Sequence, residues 1–434
     1  MTKISNLIRR LRSSKLIKDS AWAVFGNGLG NALLLAAGIL IARLLGKDLY
    51  GEFGVVKTTM FHIAGFATFG LGYTSTKFIA QYISENATKI KAISRAALSI
   101  TLISSLLLCT LLFVFSNKLA VYINNPQLAT PFRFLGVIVV CKAISTTSSG
   151  IISGFKDFKR QGRNNILSGL ILLVSAPILT YFWGLRGSLA ALLLSQVSLS
   201  VLNLLLLKHL LSRHSDSDES FIKPLLVFSF PVAMQELTYT LSHWLGPLLL
   251  AKYASLGEVG LYSASGQWNT IVRFIPALLS SVVLSYLSSS TKQKEHNTMM
   301  FRVLGINFVC AFIPFLLVLA FSGLIVKMYG SSFVGLQAVI NVFVFNTIIS
   351  VVARVFQNDL ISRGKNWRMF GLRAGKDIIT ISALYMVLVN TGGEHAAMNY
   401  AIVDIAANIL FLSALVLFFF WESKRSQITM SKVR

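Results

Sequence analysis

Single positive charges lie near the middle of long apolar segments, and their type and depth suggest specific chemistry. Arg273 is about 14 residues from either end of its segment, and Lys142 has a similar depth in another. A lone cation at the centre of a bilayer costs about 2.5–3.5 kcal/mol, so each is expected to face a cavity or an anion. A guanidinium holds a diphosphate through forked hydrogen bonds, whereas lysine is a mobile point charge. The competing interpretation of Arg273 is an internal ion pair with a buried carboxylate.

Four further cations are candidates for the same anion-binding surface. Lys57 and Arg354 lie nearer the ends of their segments, where snorkelling to the membrane surface is the ordinary interpretation. Arg373 and Lys376 stand beside Asp377, and they predict either a cytoplasmic landing site for a diphosphate or anchors for lipid headgroups. Aromatic side chains are expected to face lipid or the protein core. The hydroxyl run after Lys142 suits helix packing and sugar contact equally.

Two acidic residues at depth are candidates for ion coupling. Glu236 lies mid-segment, with Asp404 as second choice, and a carboxylate in such a place can carry a proton. Coupling to protons or sodium competes with a simpler role, in which Glu236 pairs with Arg273 or Lys142. The three cysteines lie alone in separate segments, which predicts neither a metal site nor a disulfide. No cofactor is expected.

Composition identifies the class of protein. Of 434 residues, 54% are hydrophobic and 13% charged, and the mean hydropathy is +0.68. The hydrophobic share and the mean hydropathy lie above those of soluble domains and the charged share lies below them. The apolar runs reach the roughly 20 residues that cross a bilayer. The net charge of +24 indicates nucleic acid only in a soluble protein, so no nucleic-acid partner is predicted.

The apolar runs predict an all-α integral membrane protein with about twelve transmembrane helices. Cations concentrate on one side of these spans, so the positive-inside rule places both termini in the cytoplasm. The first span is too long for a cleaved signal segment. The predicted regions are a basic N-tail, an N-lobe of six spans, a cytoplasmic linker, a C-lobe of six spans and a C-tail: 1–19, 20–210, 211–223, 224–421 and 422–434.

A weak internal repeat relates the two halves. At an offset of 209 positions, Arg43-x7-Gly51-x-Phe53 aligns with Lys252-x7-Gly260-x-Tyr262. Both halves begin in the cytoplasm, so the repeat predicts two six-helix lobes with a pseudo-twofold axis along the membrane normal. The alternative is chance similarity between apolar segments.

Several short stretches carry a resemblance to a known family. They are Ala42-Arg43-Leu44-Leu45-Gly46, Tyr50-Gly51-Glu52-Phe53-Gly54, and the Gly150-x3-Gly154 turn that leads into Lys159-Arg160-Gln161-Gly162-Arg163. With six plus six spans, the chain resembles the multidrug, oligosaccharidyl-lipid and polysaccharide exporter superfamily, and within it the bacterial O-antigen or lipid-linked oligosaccharide flippases. Similar lipid II flippases carry a cavity arginine on the helix that corresponds to that of Arg273.

The resemblance implies alternating access through a cationic cavity between two lobes. Its cargo would be an undecaprenyl-diphosphate-linked oligosaccharide, moved from the inner to the outer leaflet of the bacterial cytoplasmic membrane without ATP hydrolysis. Expected partners are that glycolipid, membrane lipid, a polysaccharide polymerase and a chain-length regulator, with the transporter itself a monomer.

Two other functions compete with this one. A drug or organic-cation antiporter of the same superfamily should place carboxylates at mid-span instead of arginine and lysine. A membrane-embedded polysaccharide polymerase or ligase should have a large outer loop of catalytic residues, which the predicted spans do not leave room for. The sequence therefore favours a transporter over an enzyme.

Overall fold

A computed structural model describes residues 15–215, 220–289 and 293–432, and these are almost entirely helical. Long apolar runs form helices because each backbone N–H and C=O is then satisfied within its own segment. Eleven α-helices are present in this described part, and a short 3-10 turn precedes the fourth. They are α1 (Lys15–Thr68), α2 (Leu71–Glu85), α3 (Lys89–Tyr122), α4 (Ala129–Gly154), α5 (Phe158–Leu211), α6 (Ile222–Tyr253), α7 (Leu256–Ser289), α8 (Gln293–Tyr329), α9 (Leu336–Ser362), α10 (Asn366–Thr391) and α11 (Ala396–Lys432).

Two of these helices each contain two spans. Gly46 interrupts α1 with φ 72° and ψ 170°, and Gly184 interrupts α5 with φ 53° and ψ −131°. Glycine adopts such positive φ values without a steric penalty. With α2 as the continuation of the second span, the described residues form twelve helical segments in the predicted order. The all-α class is confirmed.

The second span differs from its prediction. The sequence predicts one unbroken helix over about 51–82, whereas the structure breaks it between α1 and α2. Phe69 and Gly70 take φ values of 49° and 71°, which end one helix and start the next. The apolar pattern continues through this break, so hydropathy alone does not reveal it.

Seven of the described helices are long and apolar enough to cross a membrane by length and composition. They are α1, α3, α4, α5, α8, α9 and α11. The chain is an integral membrane protein, as predicted from composition.

The fold divides into two compact units. Unit 1 contains residues up to Leu45 together with Glu52–Trp244, and unit 2 contains Gly46–Gly51 together with residues from Leu245 on. The chain therefore leaves unit 1 briefly at the α1 kink and finally within α6. The division into lobes of six spans each at 20–210 and 224–421 stays a prediction.

Glycines set the helix spacing in unit 1. A Cβ on Gly26 would overlap the backbone of Gly162, so the backbones of α1 and α5 are in direct contact at this point. A Cβ on Gly150 would likewise overlap the Gly72 carbonyl, and the Thr76 hydroxyl donates to the Gly150 carbonyl at 2.7 Å. Small residues favour such contacts in membranes, where apolar burial does not drive helices together.

The first part of α6 packs within unit 1. Its Ser229 hydroxyl donates to Thr74 Oγ1 at 2.8 Å, and the Trp244 indole donates to Thr59 Oγ1 at 3.1 Å. Leu225 is fully buried in a cluster with residues of α2, α3, α4 and α5. These contacts explain why most of α6 belongs to unit 1 although it follows the predicted linker.

In unit 2, the two motifs of the internal repeat meet. A Cβ on Gly51 would overlap the carbonyl oxygen of Leu256, and one on Gly260 would overlap the carbonyl oxygen of Lys47. Leu256 and Lys47 are themselves separated by the same 209 positions as the two glycines. Each segment thus presents a glycine to the same carbonyl of the other, which is the reciprocity of a local twofold relation. The internal repeat seen in the sequence therefore corresponds to a reciprocal contact in the structure.

Candidate anion-binding site

The candidate site in unit 1 is built around Lys142 of α4. Its side chain is half-buried, and its Nζ lies 5.0 Å from the ring centroid of Phe61 on α1. No hydrogen bond or ion pair joins this ammonium to any residue that the structure describes. Because a cation at this depth is expensive, its lack of a described counter-ion makes it an attractive place for an anionic ligand.

Lys57 lies on the same face of α1 as Phe61. The two residues are four positions apart, so their side chains are neighbours on the helix surface. The Lys57 ammonium lies 6.0 Å from the Phe53 ring, and within the described ranges it has no carboxylate partner. Lys142 therefore contacts Phe61 from α4, while Lys57 lies one helical turn before Phe61 on α1 with its ammonium beside Phe53.

The hydroxyl run after Lys142 is engaged with protein groups. Ser145 and Thr146 donate to the Lys142 carbonyl at 2.9 and 2.8 Å, and Thr147 is hydrogen-bonded to Thr101 at 2.8 Å. Ser149 accepts from the Asn203 amide at 3.0 Å. These bonds favour the packing interpretation and fix the α4 turn that carries Lys142.

Arg273 lies on α7 in unit 2, where its side chain is half-buried. Its guanidinium has no hydrogen-bond or ion-pair partner among the described residues, and the competing interpretation of an ion pair with Glu236 involves a side chain outside them. Arg354 on α9 and Arg373 on α10 are also half-buried, and each makes at least one polar, ionic or ring contact. These three cations and Lys376 belong to unit 2 and are described apart from Lys57 and Lys142.

Lys376 has a different environment, because carboxylates surround it. Its ammonium lies 3.5 Å from Asp377 Oδ1 and 3.5 Å from Asp404 Oδ1. The Asn346 amide donates to Asp404 Oδ2 at 2.6 Å, and the Asn408 amide donates to Asn346 Oδ1 at 3.0 Å. Lys376 therefore neutralises acidic groups of its own unit, and its charge is less available to a ligand than that of Lys142.

Replacing Lys376 with methionine is expected to destabilise the protein. Breaking a buried ion pair by removing one partner costs about 3–5 kcal/mol, because a charge is left uncompensated. For a unit of this size, that corresponds to a fall in Tm of about 6–12 °C or more. Thermal unfolding in detergent measures the change.

The controls for this prediction are Lys327→Met and a double variant. Lys327 is exposed at the end of α8, so Lys327→Met should leave Tm nearly unchanged. Combining Lys376→Met with Asp404→Asn should recover part of the loss. If Lys376→Met alone unfolds at the wild-type temperature, the ion-pair interpretation is wrong.

The remaining candidate is Glu236. Glu236 lies on α6, and its side chain is outside the described residues. Its pairing with Lys142 or Arg273 and its role in ion coupling stay predictions. Among the described residues, no group of three histidine, cysteine, aspartate or glutamate side chains could hold a metal ion.

Phe61 and the two asparagines were missed in the sequence analysis. The signal for Phe61 was its spacing of four from Lys57, which places both on one helix face. Asn346 and Asn408 gave no comparable signal, because their hydrogen bonds to each other and to Asp404 join distant segments.

The matching family model is described as "Polysaccharide biosynthesis protein", and it matches residues 16–291. The chain belongs to this family. A putative O-antigen transporter from Shigella flexneri is 20% identical over 89% of this chain and 94% of its own length. Stage V sporulation protein B from Bacillus subtilis is 22% identical over 63% of this chain, but this match spans only 60% of that protein.

Solved structures show the same fold for this family member. An inward-facing multidrug resistance transporter of the MATE family has a TM-score of 0.78 at 15% identity, covering 93% of this chain and 99% of that one. The lipid II flippase MurJ, in an inward closed conformation, has a TM-score of 0.71 at 12% identity, covering 91% and 86%. Identities this low establish the fold alone, while the family match confirms the predicted resemblance to polysaccharide biosynthesis proteins.

Proposed function

We propose that this polysaccharide biosynthesis protein is a transporter that flips a polyprenyl-diphosphate-linked oligosaccharide, such as an O-antigen repeat unit, across the bacterial cytoplasmic membrane. The observation that carries the proposal is the Lys142 ammonium beside Phe61, together with the Lys57 ammonium beside Phe53 on the same helix as Phe61, neither of which has a described carboxylate to neutralise it. The family match and the name of the Shigella relative support a lipid-linked sugar as cargo.

The physical problem is the diphosphate, because the polyprenyl tail already prefers lipid. An ionised headgroup that leaves water loses several kcal/mol of solvation even after relaxation, about as much as an ion buried in a protein. Fixed ammonium and guanidinium groups replace part of that solvation through charge-assisted hydrogen bonds. In this proposal Lys142 and Lys57 of unit 1 bind the diphosphate. Arg273 of unit 2 is a separate candidate for a forked contact with the headgroup.

Arg354, Arg373 and Lys376 have smaller roles in the proposal. Arg354 and Arg373 already make contacts of their own, and Lys376 is engaged by Asp377 and Asp404. They are proposed to guide the headgroup at the cytoplasmic side. Glu236 is the proposed residue for proton or sodium coupling. Asp404 is the second choice, because the Lys376 ammonium competes with any free cation for its carboxylate.

The remaining parts of the proposal follow from the family and the charge pattern. Both termini lie in the cytoplasm, access alternates between two six-helix lobes, and the transporter works as a monomer beside a polymerase and a chain-length regulator. No nucleic acid takes part.

Reconstitution in vesicles tests the function. The wild-type protein should move a fluorescent polyprenyl-diphosphate oligosaccharide between leaflets, measured by its accessibility to an added quencher. In the same vesicles, uptake of a fluorescent organic cation should match that of protein-free vesicles. Movement of the organic cation without movement of the glycolipid would contradict the proposal and favour a drug antiporter.

A further inference from the structure

Phe61 is an exposed aromatic ring placed against a cation in unit 1. Its side chain is 45% exposed, and the Lys142 ammonium lies 5.0 Å from the ring centroid. Lys142 is a cation of the candidate anion-binding site and has no described counter-ion. The Phe61 ring therefore lies on the same surface as Lys142.

The Lys142 ammonium can leave the face of the Phe61 ring, and another group can then take its place. An ammonium gains more from a charge-assisted hydrogen bond to phosphate than from the face of an aromatic ring, particularly an exposed one. Lysine has a long flexible stem, so Lys142 can turn from the ring to a phosphate without moving its backbone. Arrival of a diphosphate would thus leave the face of Phe61 open.

The open face suits a sugar. The face of an aromatic ring carries negative charge density, which attracts hydrogens that bear partial positive charge. The C–H groups on one side of a pyranose ring are of this kind, because each carbon also carries oxygen. The first sugar is bonded directly to the diphosphate, so a headgroup held by Lys57 and Lys142 brings that sugar to Phe61.

We propose that Phe61 is the stacking surface for the sugar next to the diphosphate, and that it makes this transporter discriminate glycosylated from bare polyprenyl diphosphate. The inference rests on the proposed function and adds a specificity-determining residue to its site. Lys57 and Lys142 would recognise the phosphates, which all such lipids share, while Phe61 would recognise the sugar.

The test compares two ligands on Phe61→Leu. Leucine keeps an apolar side chain but removes the ring, so affinity for a polyprenyl-diphosphate oligosaccharide should fall about fivefold to tenfold. Affinity for the bare polyprenyl diphosphate should stay within about twofold, since the cations are retained. Phe61→Tyr keeps the ring and should bind both ligands as the wild type does. Binding to the detergent-purified wild type and variants measures the affinity of each protein for both ligands.

Phe115 provides a matched control. It is also 45% exposed, and Lys118 lies 5.6 Å from its ring centroid, but it lies near the end of α3. Phe115→Leu should change neither affinity. Equal weakening of both ligands by Phe61→Leu would show that the ring only positions Lys142, and no weakening would show that the ring does not contact the sugar. If the wild type binds neither ligand, the proposed function itself fails.

Discussion

Replacing Lys142 with glutamate is expected to reduce glycolipid flipping by more than about 100-fold. A hydrogen bond to a charged group contributes about 1.5–3 kcal/mol, and every 1.4 kcal/mol is a factor of ten. The glutamate adds repulsion between two negative groups in a medium of low dielectric, where that repulsion is weakly screened. Flipping of a labelled polyprenyl-diphosphate oligosaccharide in vesicles measures the effect.

Further substitutions distinguish loss of the Lys142 charge from a general loss of folding. Lys142→Gln removes the charge without repulsion, and about 10-fold to 100-fold of activity should be lost. Adding Lys57→Gln should deepen the loss, because both proposed diphosphate-binding cations of unit 1 are then removed. Lys118→Glu makes the same charge reversal at an exposed position of α3 and should leave flipping intact.

One result would contradict the proposed diphosphate site in unit 1. If the Lys57→Gln, Lys142→Gln double variant flips the glycolipid at the wild-type rate, unit 1 does not hold the diphosphate. Arg273 and the other cations of unit 2 would then be the remaining candidates. Thermal unfolding of each variant shows whether a lost activity reflects the site or the fold.

Adding a methyl group to Gly51 or Gly260 is expected to lower the stability of unit 2 by about 3 kcal/mol or more. Each new Cβ would overlap a backbone carbonyl oxygen, of Leu256 and Lys47 respectively. A carbonyl in a helix cannot move aside as a flexible side chain can, so the two segments must separate. A fall in Tm of about 6–12 °C is expected for a unit of this size.

The same substitution at an open position is the control. Gly266 lies within α7, and nothing would come within 4 Å of a Cβ there. Gly266→Ala should therefore be neutral or stabilising by about 0.5–1 kcal/mol, because alanine restricts the unfolded chain more than glycine does. The Gly51 and Gly260 variants should lose similar stability, since their contacts are reciprocal. Wild-type Tm in both would show that the repeat motifs do not meet.

The sequence by itself determined the class of fold and the family. Hydrocarbon offers no hydrogen bonds to the backbone, so a long apolar run must be helical, and its length and flanking charges define a span. Twelve segments and the stretches that carry the family resemblance were therefore readable directly. The depth of Lys142 in its span was readable as well, because depth is a matter of counting residues.

Only the tertiary structure decided which charges are compensated. Lys142 has no charged neighbour in the sequence, whereas Lys376 has Asp377 beside it. Packing brings Asp404 to the Lys376 ammonium and sets Lys142 against Phe61. Asp404 and Phe61 lie on helices distant in sequence, and a pattern along one helix does not specify the residues opposite it. The assignment of most of α6 to unit 1 and the meeting of Gly51 with Leu256 depend on long-range packing for the same reason.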